Sequence, residues 1–221
     1  MKNIIVPLDF SSDSLKGLEM ALLFARRTPV HIQMVYVVKK SDVPSFGEEE
    51  IKHAEKEFKK VVEKFPDTLF VMTGKNPNKL IMNEVVQYVN NCSMNEKILL
   101  VGFVNSEELL SYNYAADILF VCRTNSPYAN HGFPWKLGEY CMTGKPIIAS
   151  RVGDIEEYFK DNEDLYIVEP NNSNAIAEKI TFIFDNYPKA VSVANQGKIT
   201  ATKCCGYLER TKDIIDFIKK Q

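Results

Sequence analysis

The sequence carries almost no net charge. Its 27 Lys and Arg against 29 Asp and Glu leave −2 over 221 residues. Without a positive excess there is no electrostatic case for nucleic acid or an anionic membrane as a partner. The local pairs Lys39–Lys40 and Lys59–Lys60 are diluted by Glu48 to Glu50 and Glu55, as on a solvated helix face. Long apolar runs are also missing, so no transmembrane segment is expected. The N-terminus, Met1-Lys2-Asn3, passes straight into a strand-like stretch without a signal-peptide cleavage pattern. Cysteine is scarce and badly spaced for metal. Cys92, Cys122, Cys141, Cys204 and Cys205 include no CxxC pair, and two adjacent cysteines cannot supply the usual zinc-ligand spacing. The expectation is reduced thiols in a cytoplasmic protein without a bound metal. Cys122 lies in an apolar strand-like run, where burial is the default. Low-complexity segments and internal repeats are absent.

What remains is ordinary globular composition, 45% hydrophobic and 25% charged, in strict alternation of strand and helix patterns. Short β-branched or apolar runs predict strands over 3–8, 31–38, 69–72, 97–102, 118–122, 146–150 and 165–168. Helical spacing fits residues 11–27, opened by Ser and Asp of the N-cap type. It also fits 48–65, where Ile51, Ala54, Phe58, Val61, Val62 and Phe65 share a face and Pro66-Asp67 forms a break. Further helices are expected over 79–89, from Asn105-Ser106-Glu107-Glu108 (a capping-box-like start) through Tyr114, over 134–142 with a stop at Gly144, and over 174–186 and 208–219. This predicts an α/β fold, three-layer and Rossmann-like, with a mostly parallel sheet and helices on both faces. Ligands of such sheets bind beyond the carboxyl ends of the strands. That places the useful residues at Asp9, Gly74, Gly102 to Asn105, Arg123 to Lys136 and Arg151 to Asp154.

The most informative stretch is Asn130-His131-Gly132-Phe133-Pro134-Trp135-Lys136-Leu137-Gly138-Glu139-Tyr140, followed by Thr143-Gly144-Lys145-Pro146-Ile147-Ile148-Ala149-Ser150. A glycine-containing loop opens directly into a helix, with Pro134 suited to its first turn. The unsatisfied N–H groups of a helix start suit a phosphate, and Lys136 adds a point charge. Glu139 lies three residues on, near the face of Lys136, and a carboxylate can accept from both hydroxyls of a ribose. The plainer reading of the same residues is a helical Lys136–Glu139 ion pair and a glycine serving a turn.

Several ordered blocks extend the pattern. Leu99-Leu100-Val101-Gly102-Phe103-Val104, Glu107-Glu108-Leu109 and Ala115-Ala116-Asp117 come first. The Gly-Phe-Pro-x-Lys-Leu-x-Glu-Tyr helix start, the Thr-Gly-Lys-Pro-Ile-Ile-Ala-Ser strand and Val152-Gly153-Asp154-Ile155-x-Glu157 follow, then Val168-x-Pro170 before Asn174-Ala175-Ile176-Ala177-Glu178-Lys179. In this order they resemble the donor-binding, C-terminal half of the group-1 (family 4) GT-B glycosyltransferases, over roughly residues 67–221. The resemblance implies a nucleotide-sugar site that needs no metal. Glu139 matches the glutamate that binds the ribose, Val104 and Asn105 the loop against the base, and Gly132 and Phe133 the backbone at diphosphate and sugar. Lys136 matches the lysine of the Phe-Pro-(Ser/Thr)-Lys variant. The family's first glutamate is replaced by His131, the candidate for a catalytic or sugar-contacting role. Trp135 replaces a small hydroxyl residue, and Asp161-Asn162-Glu163-Asp164 lacks the family's turn glycine, a place where Asn162 can adopt the left-handed conformation.

Residues 1–66 follow another pattern. Asn3-Ile4-Ile5-Val6-Pro7-Leu8-Asp9-Phe10-Ser11, Ser14-Leu15-x-Gly17-Leu18-x-x-Ala21 and Val35-Tyr36-Val37 resemble the N-terminal half of a universal stress protein. That resemblance implies a nucleoside site at Asp9 and Val37, while the Gly-x-x-Gly…Gly-(Ser/Thr) segment that would hold ATP phosphates is missing. Asp9 read on its own is a turn or cap carboxylate. The basic, glycine-containing diphosphate loop of a glycosyltransferase donor domain has no equivalent, so the chain reads as a hybrid, natural or engineered, of 1–66 and 67–221, in one continuous sheet or two lobes. The expectation is nucleotide-sugar binding, with an acceptor domain supplied by a separate partner and weak or no transfer alone. Two other readings stay open: a universal-stress-like nucleotide-binding or signalling module, and a recombined α/β scaffold without activity.

Overall fold

The computed structural model describes residues 2–8, 30–36, 48–74 and 79–219. The chain divides into two compact units, residues 1–44 and 45–221. In the first, β1 (Lys2–Leu8) pairs in parallel with β2 (Val30–Tyr36), in register from Lys2 opposite Val30 to Leu8 opposite Tyr36. The expected helix over 11–27 lies outside the described residues.

The second unit opens with α1 (Glu48–Lys64), β3 (Phe70–Thr73), α2 (Lys79–Asn91), β4 (Ile98–Gly102) and α3 (Ser106–Ala115). It continues through β5 (Leu119–Val121), α4 (Pro127–Asn130), α5 (Trp135–Met142), β6 (Ile147–Ser150), α6 (Ile155–Tyr158) and β7 (Tyr166–Val168). It closes with α7 (Ser173–Asp185), α8 (Tyr187–Cys205) and α9 (Tyr207–Lys219). All seven expected strands are present, and every described pairing is parallel. In this unit the ladders are β3–β4 and β5–β6–β7.

Alternation along β5, β6 and β7 produces two cores, because successive strand side chains face opposite ways. Leu119, Val121, Ile147, Ala149 and Ile167 join Leu137 and Cys141 of α5, Ile155 of α6 and Ala201 of α8. Ile148, Tyr166 and Val168 join Val61 of α1, Ala177, Ile180 and Ile183 of α7, and Ala190 and Val193 of α8. Both faces of the strand triplet are therefore covered, as the parallel arrangement requires. Outside the cores, Lys64 of α1 reaches Asp185 of α7 at 2.5 Å.

Three local features carry sequence-level physics directly. Asn105 caps α3 in a full capping box: its Oδ1 accepts from Glu108 N at 2.9 Å, and Glu108 Oε2 accepts from Asn105 N at 3.0 Å. Gly144 closes α5 with φ +70°. Asn162 takes φ +60°, filling the place of the missing turn glycine.

The short helices α4 and α6 are additions to the expected set, and two larger features differ from expectation. Cys122 is exposed. It shares the parity of the half-covered Phe120, just past the end of β5, while Leu119 and Val121 face the first core; the residue is exposed there, although burial of the sulfur still pushes its thiol up to about 11. The second difference is α8, a helix that the sequence reading does not mark. Its buried stripe is Ala190, Val193, Ala194, Gly197 and Ala201, at helical spacing but nearly without large apolar side chains. The small residues allow close approach. A Cβ on Gly197 would stand 2.1 Å from the Asp164 carbonyl oxygen.

Candidate functional site

The loops after β5 and β6 meet beyond the carboxyl ends of the strands, and a glycine sets their separation. Gly153 has φ +57°, and a Cβ there would lie 2.2 Å from Gly132 O and 2.9 Å from Ala129 O. The β6–α6 loop thus rests on the backbone that leads into α5. Its strand ends are tied as well: Arg123 N donates to Ser150 Oγ at 2.9 Å, joining the residues just past β5 to the last residue of β6.

The approach to α5 is ordered by short-range bonds. Ser126 caps α4, its Oγ accepting from Ala129 N at 3.2 Å, with Pro127 at the first position. Asn130 Nδ2 donates to Asn125 Oδ1 at 2.6 Å. His131 is exposed, with Nδ1 2.5 Å from Pro127 O. A carbonyl can only accept, so Nδ1 carries the proton in this arrangement and Nε2 of the neutral ring is left as an acceptor. Phe133 is held from the other side, edge-on to Tyr158 at 5.5 Å and stacked on Phe159 at 6.2 Å between centroids. Its ring is occupied by packing, which leaves its backbone for a ligand.

Pro134 is the cap residue of α5, one position earlier than expected, and no side chain caps the helix. The first N–H groups of the helix are therefore not claimed by a capping side chain. Trp135 is 89% exposed. Lys136 and Glu139 are exposed too. Among the described residues, they form no ion pair or hydrogen bond with each other or with any other side chain. The helical ion pair that would explain both residues without a ligand is not formed.

Two other expected residues, Val104 and Asn105, follow β4, in a ladder separate from β5–β6–β7. Val104 is half-buried beside Phe103, which is 81% exposed. The Asn105 carbonyl is spent on the cap of α3. Asp9 and Val37 lie outside the described residues. Two cations also stand past the strand ends, where the sequence places Arg123 and Arg151 without assigning either a role. Arg123 sits 5.2 Å from the centroid of the Tyr128 ring, a cation–π contact. Arg151 is clasped by Glu156 and by Glu169, whose Oε1 is 2.7 Å from its Nε. These carboxylates raise the guanidinium further above its ordinary value. Arg151 is thus neutralised locally, whereas Arg123 and Lys136 bring charge without a carboxylate. The sequence signal for Arg123 is only its place, two residues after the end of β5.

Among the described residues no group of His, Cys, Asp and Glu is arranged to hold a metal ion, and no helix is long and apolar enough to cross a membrane.

Comparison with known proteins gives a consistent family assignment. Residues 46–200 match the family described as glycosyl transferases group 1. Residues 1–86 match the universal stress protein family. An uncharacterized glycosyltransferase of Methanocaldococcus jannaschii is 32% identical over 120 residues, 54% of this chain and 31% of that protein, so the chain spans about a third of the length of this relative. Among solved structures, the C-terminal domain of the group 1 glycosyl transferase LpcC from Francisella tularensis superposes with a TM-score of 0.59 at 23% identity, over 72% of this chain and 80% of that one. HepE of Anabaena, solved in complex with UDP-glucose, superposes with a TM-score of 0.63 at 13% identity, over 99% of this chain and 72% of that one. At these identities the structural likeness establishes the fold, an α/β glycosyltransferase fold.

Proposed function

Because the chain belongs to the glycosyl transferases of group 1, we propose that it binds a nucleoside-diphosphate sugar at the start of α5. The observation that carries this reading is the pair Lys136 and Glu139. Both are exposed, without partners among the described residues, on a helix whose first turn no side chain caps. The uncapped amides and Lys136 receive the diphosphate. Glu139 accepts from the two ribose hydroxyls, and the backbone of Gly132 and Phe133 meets the diphosphate and sugar. Val104 and Asn105 border the base. Arg123, steadied by Tyr128, supplies a second cation near the strand end, a role that matters because no basic glycine-containing loop is recognisable in the sequence. The relative solved with UDP-glucose supports a uridine nucleotide as the first ligand to try.

Transfer itself places its largest demand on the leaving diphosphate. Preorganised amides and cations stabilise the charge that develops there as the glycosidic bond breaks. This reading assigns no step to a metal. His131 stands where a carboxylate would contact the sugar, and its free Nε2 can accept from one sugar hydroxyl but cannot provide the same negative charge. Holding the acceptor hydroxyl against the donor supplies much of the remaining acceleration. We assign that task to a separate acceptor-binding partner, so that residues 1–221 alone transfer weakly or not at all.

The test is calorimetric titration of the chain with UDP, GDP, their hexose conjugates and ATP. Saturable binding of a uridine or guanosine species, weakened about tenfold to a hundredfold in Glu139→Ala by loss of about 1.5–3 kcal/mol of charged hydrogen bonding, supports the reading. Unchanged affinity in that variant removes Glu139 from the site. Binding of ATP alone favours the second reading, a nucleoside site in the segment that matches the universal stress proteins.

A further inference from the structure

The last turn of α8 holds two thiols side by side. Cys204 is half-buried and Cys205 exposed, and their sulfurs are 3.4 Å apart. The pair ends the helix. Gly206 follows, where a Cβ would stand 2.4 Å from Thr202 O, and α9 begins at Tyr207. Cys205 also packs on α5: a Cβ on Gly138 would touch its Cβ at 3.5 Å and its sulfur at 3.7 Å. Of the other cysteines, Cys141 of α5 lies near enough for the pair to act on its thiol, which burial pushes up to about 12. Cys92 and Cys141 are buried, and Cys122 is exposed.

We propose that Cys204 and Cys205 form a redox modification site, a dithiol that a low-molecular-weight disulfide converts into a disulfide between adjacent residues. The Cys205 thiolate attacks one sulfur of the small disulfide and expels one small thiolate, forming a mixed disulfide. Cys204, losing its proton to solvent base, then attacks the Cys205 sulfur and expels the second small thiol. Two protein thiols are oxidised, one small disulfide is reduced to two thiols, and the protein loses two hydrogens.

The geometry decides the order of attack and the consequence. Cys205 is the accessible sulfur and reacts first. Burial, followed by the neighbouring Cys205, pushes the Cys204 thiol up to about 12, so it acts as the resolving group. Adjacent Cα atoms are about 3.8 Å apart, closer than the usual disulfide span of about 4.4–6.8 Å, so the bridge is strained. Successive helical side chains also diverge by about 100° at 3.6 residues per turn. The bond therefore forms only if the last turn of α8 unwinds, which withdraws Cys205 from Gly138. A strained, exposed disulfide of this kind is easily reduced again, so the site is reversible.

The experiment uses the full chain incubated with oxidised glutathione, then alkylated without reductant and cleaved with trypsin. The peptide Cys204–Arg210 holds both thiols and no other cysteine. It should be lighter by two hydrogens and carry neither glutathione nor alkyl group. Cys204→Ser should instead trap a glutathione adduct on Cys205. Hydrogen exchange at 201–205 should quicken on oxidation and recover with dithiothreitol. A stable glutathione adduct on Cys205 of the unaltered chain, a bridge from Cys205 to Cys141, or two thiols still alkylated after the incubation would each overturn the proposal.

Discussion

Two glycines that touch should respond in opposite ways to the same substitution. Gly153 and Gly132 face each other where the β6–α6 loop meets the approach to α5. In Gly153→Ala the new methyl would lie 2.2 Å from Gly132 O and 2.9 Å from Ala129 O, on a residue with φ +57°. The left-handed conformation costs a non-glycine residue about 1–2 kcal/mol. Prising apart two packed backbone segments costs about 1–3 kcal/mol more, by analogy with overpacked cores. Together these give about 2–5 kcal/mol. Each kcal/mol lowers the melting temperature of a unit of this size by about 2–4 °C, so a fall of about 4–20 °C is expected.

Gly132→Ala is the control. A Cβ there meets nothing within 4 Å, and its φ is not in the left-handed region. Its melting temperature should stay within about 1 kcal/mol equivalents of the parent, since a compatible Gly→Ala change is worth only about 0.4–1 kcal/mol. The methyl would nonetheless stand on the backbone proposed to meet the diphosphate, so affinity for UDP should fall. Thermal unfolding followed by circular dichroism, with calorimetry of the folded protein, separates the two effects. Gly153→Ala melting with the parent, or Gly132→Ala melting below Gly153→Ala, would refute the loop-contact argument.

Other perturbations address different parts of the unit. Thr200 Oγ1 donates to buried Asp164 Oδ1 at 2.6 Å; Thr200→Val should cost about 1–3 kcal/mol by leaving that oxygen unpaired, read as a shift in the urea midpoint without a change in slope. The hydroxyl and amide of Ser93, at 2.5 and 2.7 Å, hold the Glu55 carboxyl below its ordinary 4.5. A lowered folded pKa means stabilisation that is complete above pH 4.5 and disappears as pH falls through the folded value. Ser93→Ala should accordingly reduce stability at neutral pH more than at pH 3, and equal losses at both would count against this role. Lys136→Met should weaken UDP while leaving uridine almost unaffected, because the lysine is assigned to the phosphates; equal loss for both ligands would move it elsewhere in the site.

The strands were legible because each is a short apolar or β-branched run bounded by turn residues, a local signal. So were the capping box at Asn105 and the left-handed Asn162, which depend on side chains a few positions apart. The long helix α8 was not, since its buried stripe is mostly alanine and glycine, and a stripe of small residues reveals its face only when its partner is known. That partner is the backbone of Asp164, distant in sequence from Gly197. Cys122 failed for a related reason, because hydrophobic neighbours in sequence do not determine which face of a strand a residue takes.

The same division runs through the candidate site. Lys136 and Glu139 could be named from sequence, but their three-residue spacing fits an internal ion pair equally well. Only the positions of their side chains, unpaired among the described residues, favour a ligand. Arg123 and Arg151 show how far local reading falls short: both follow strand ends, yet one rests on an aromatic ring and the other is clasped by carboxylates five and eighteen positions away. A cation committed to two carboxylates has little charge left for a diphosphate. The charge available to a donor therefore depends on where Glu156 and Glu169 come to lie, and Glu169 is brought to Arg151 by β6 and β7 pairing in parallel. Sequence spacing identifies the basic residues at the crevice, and strand pairing decides which of them stay free to act.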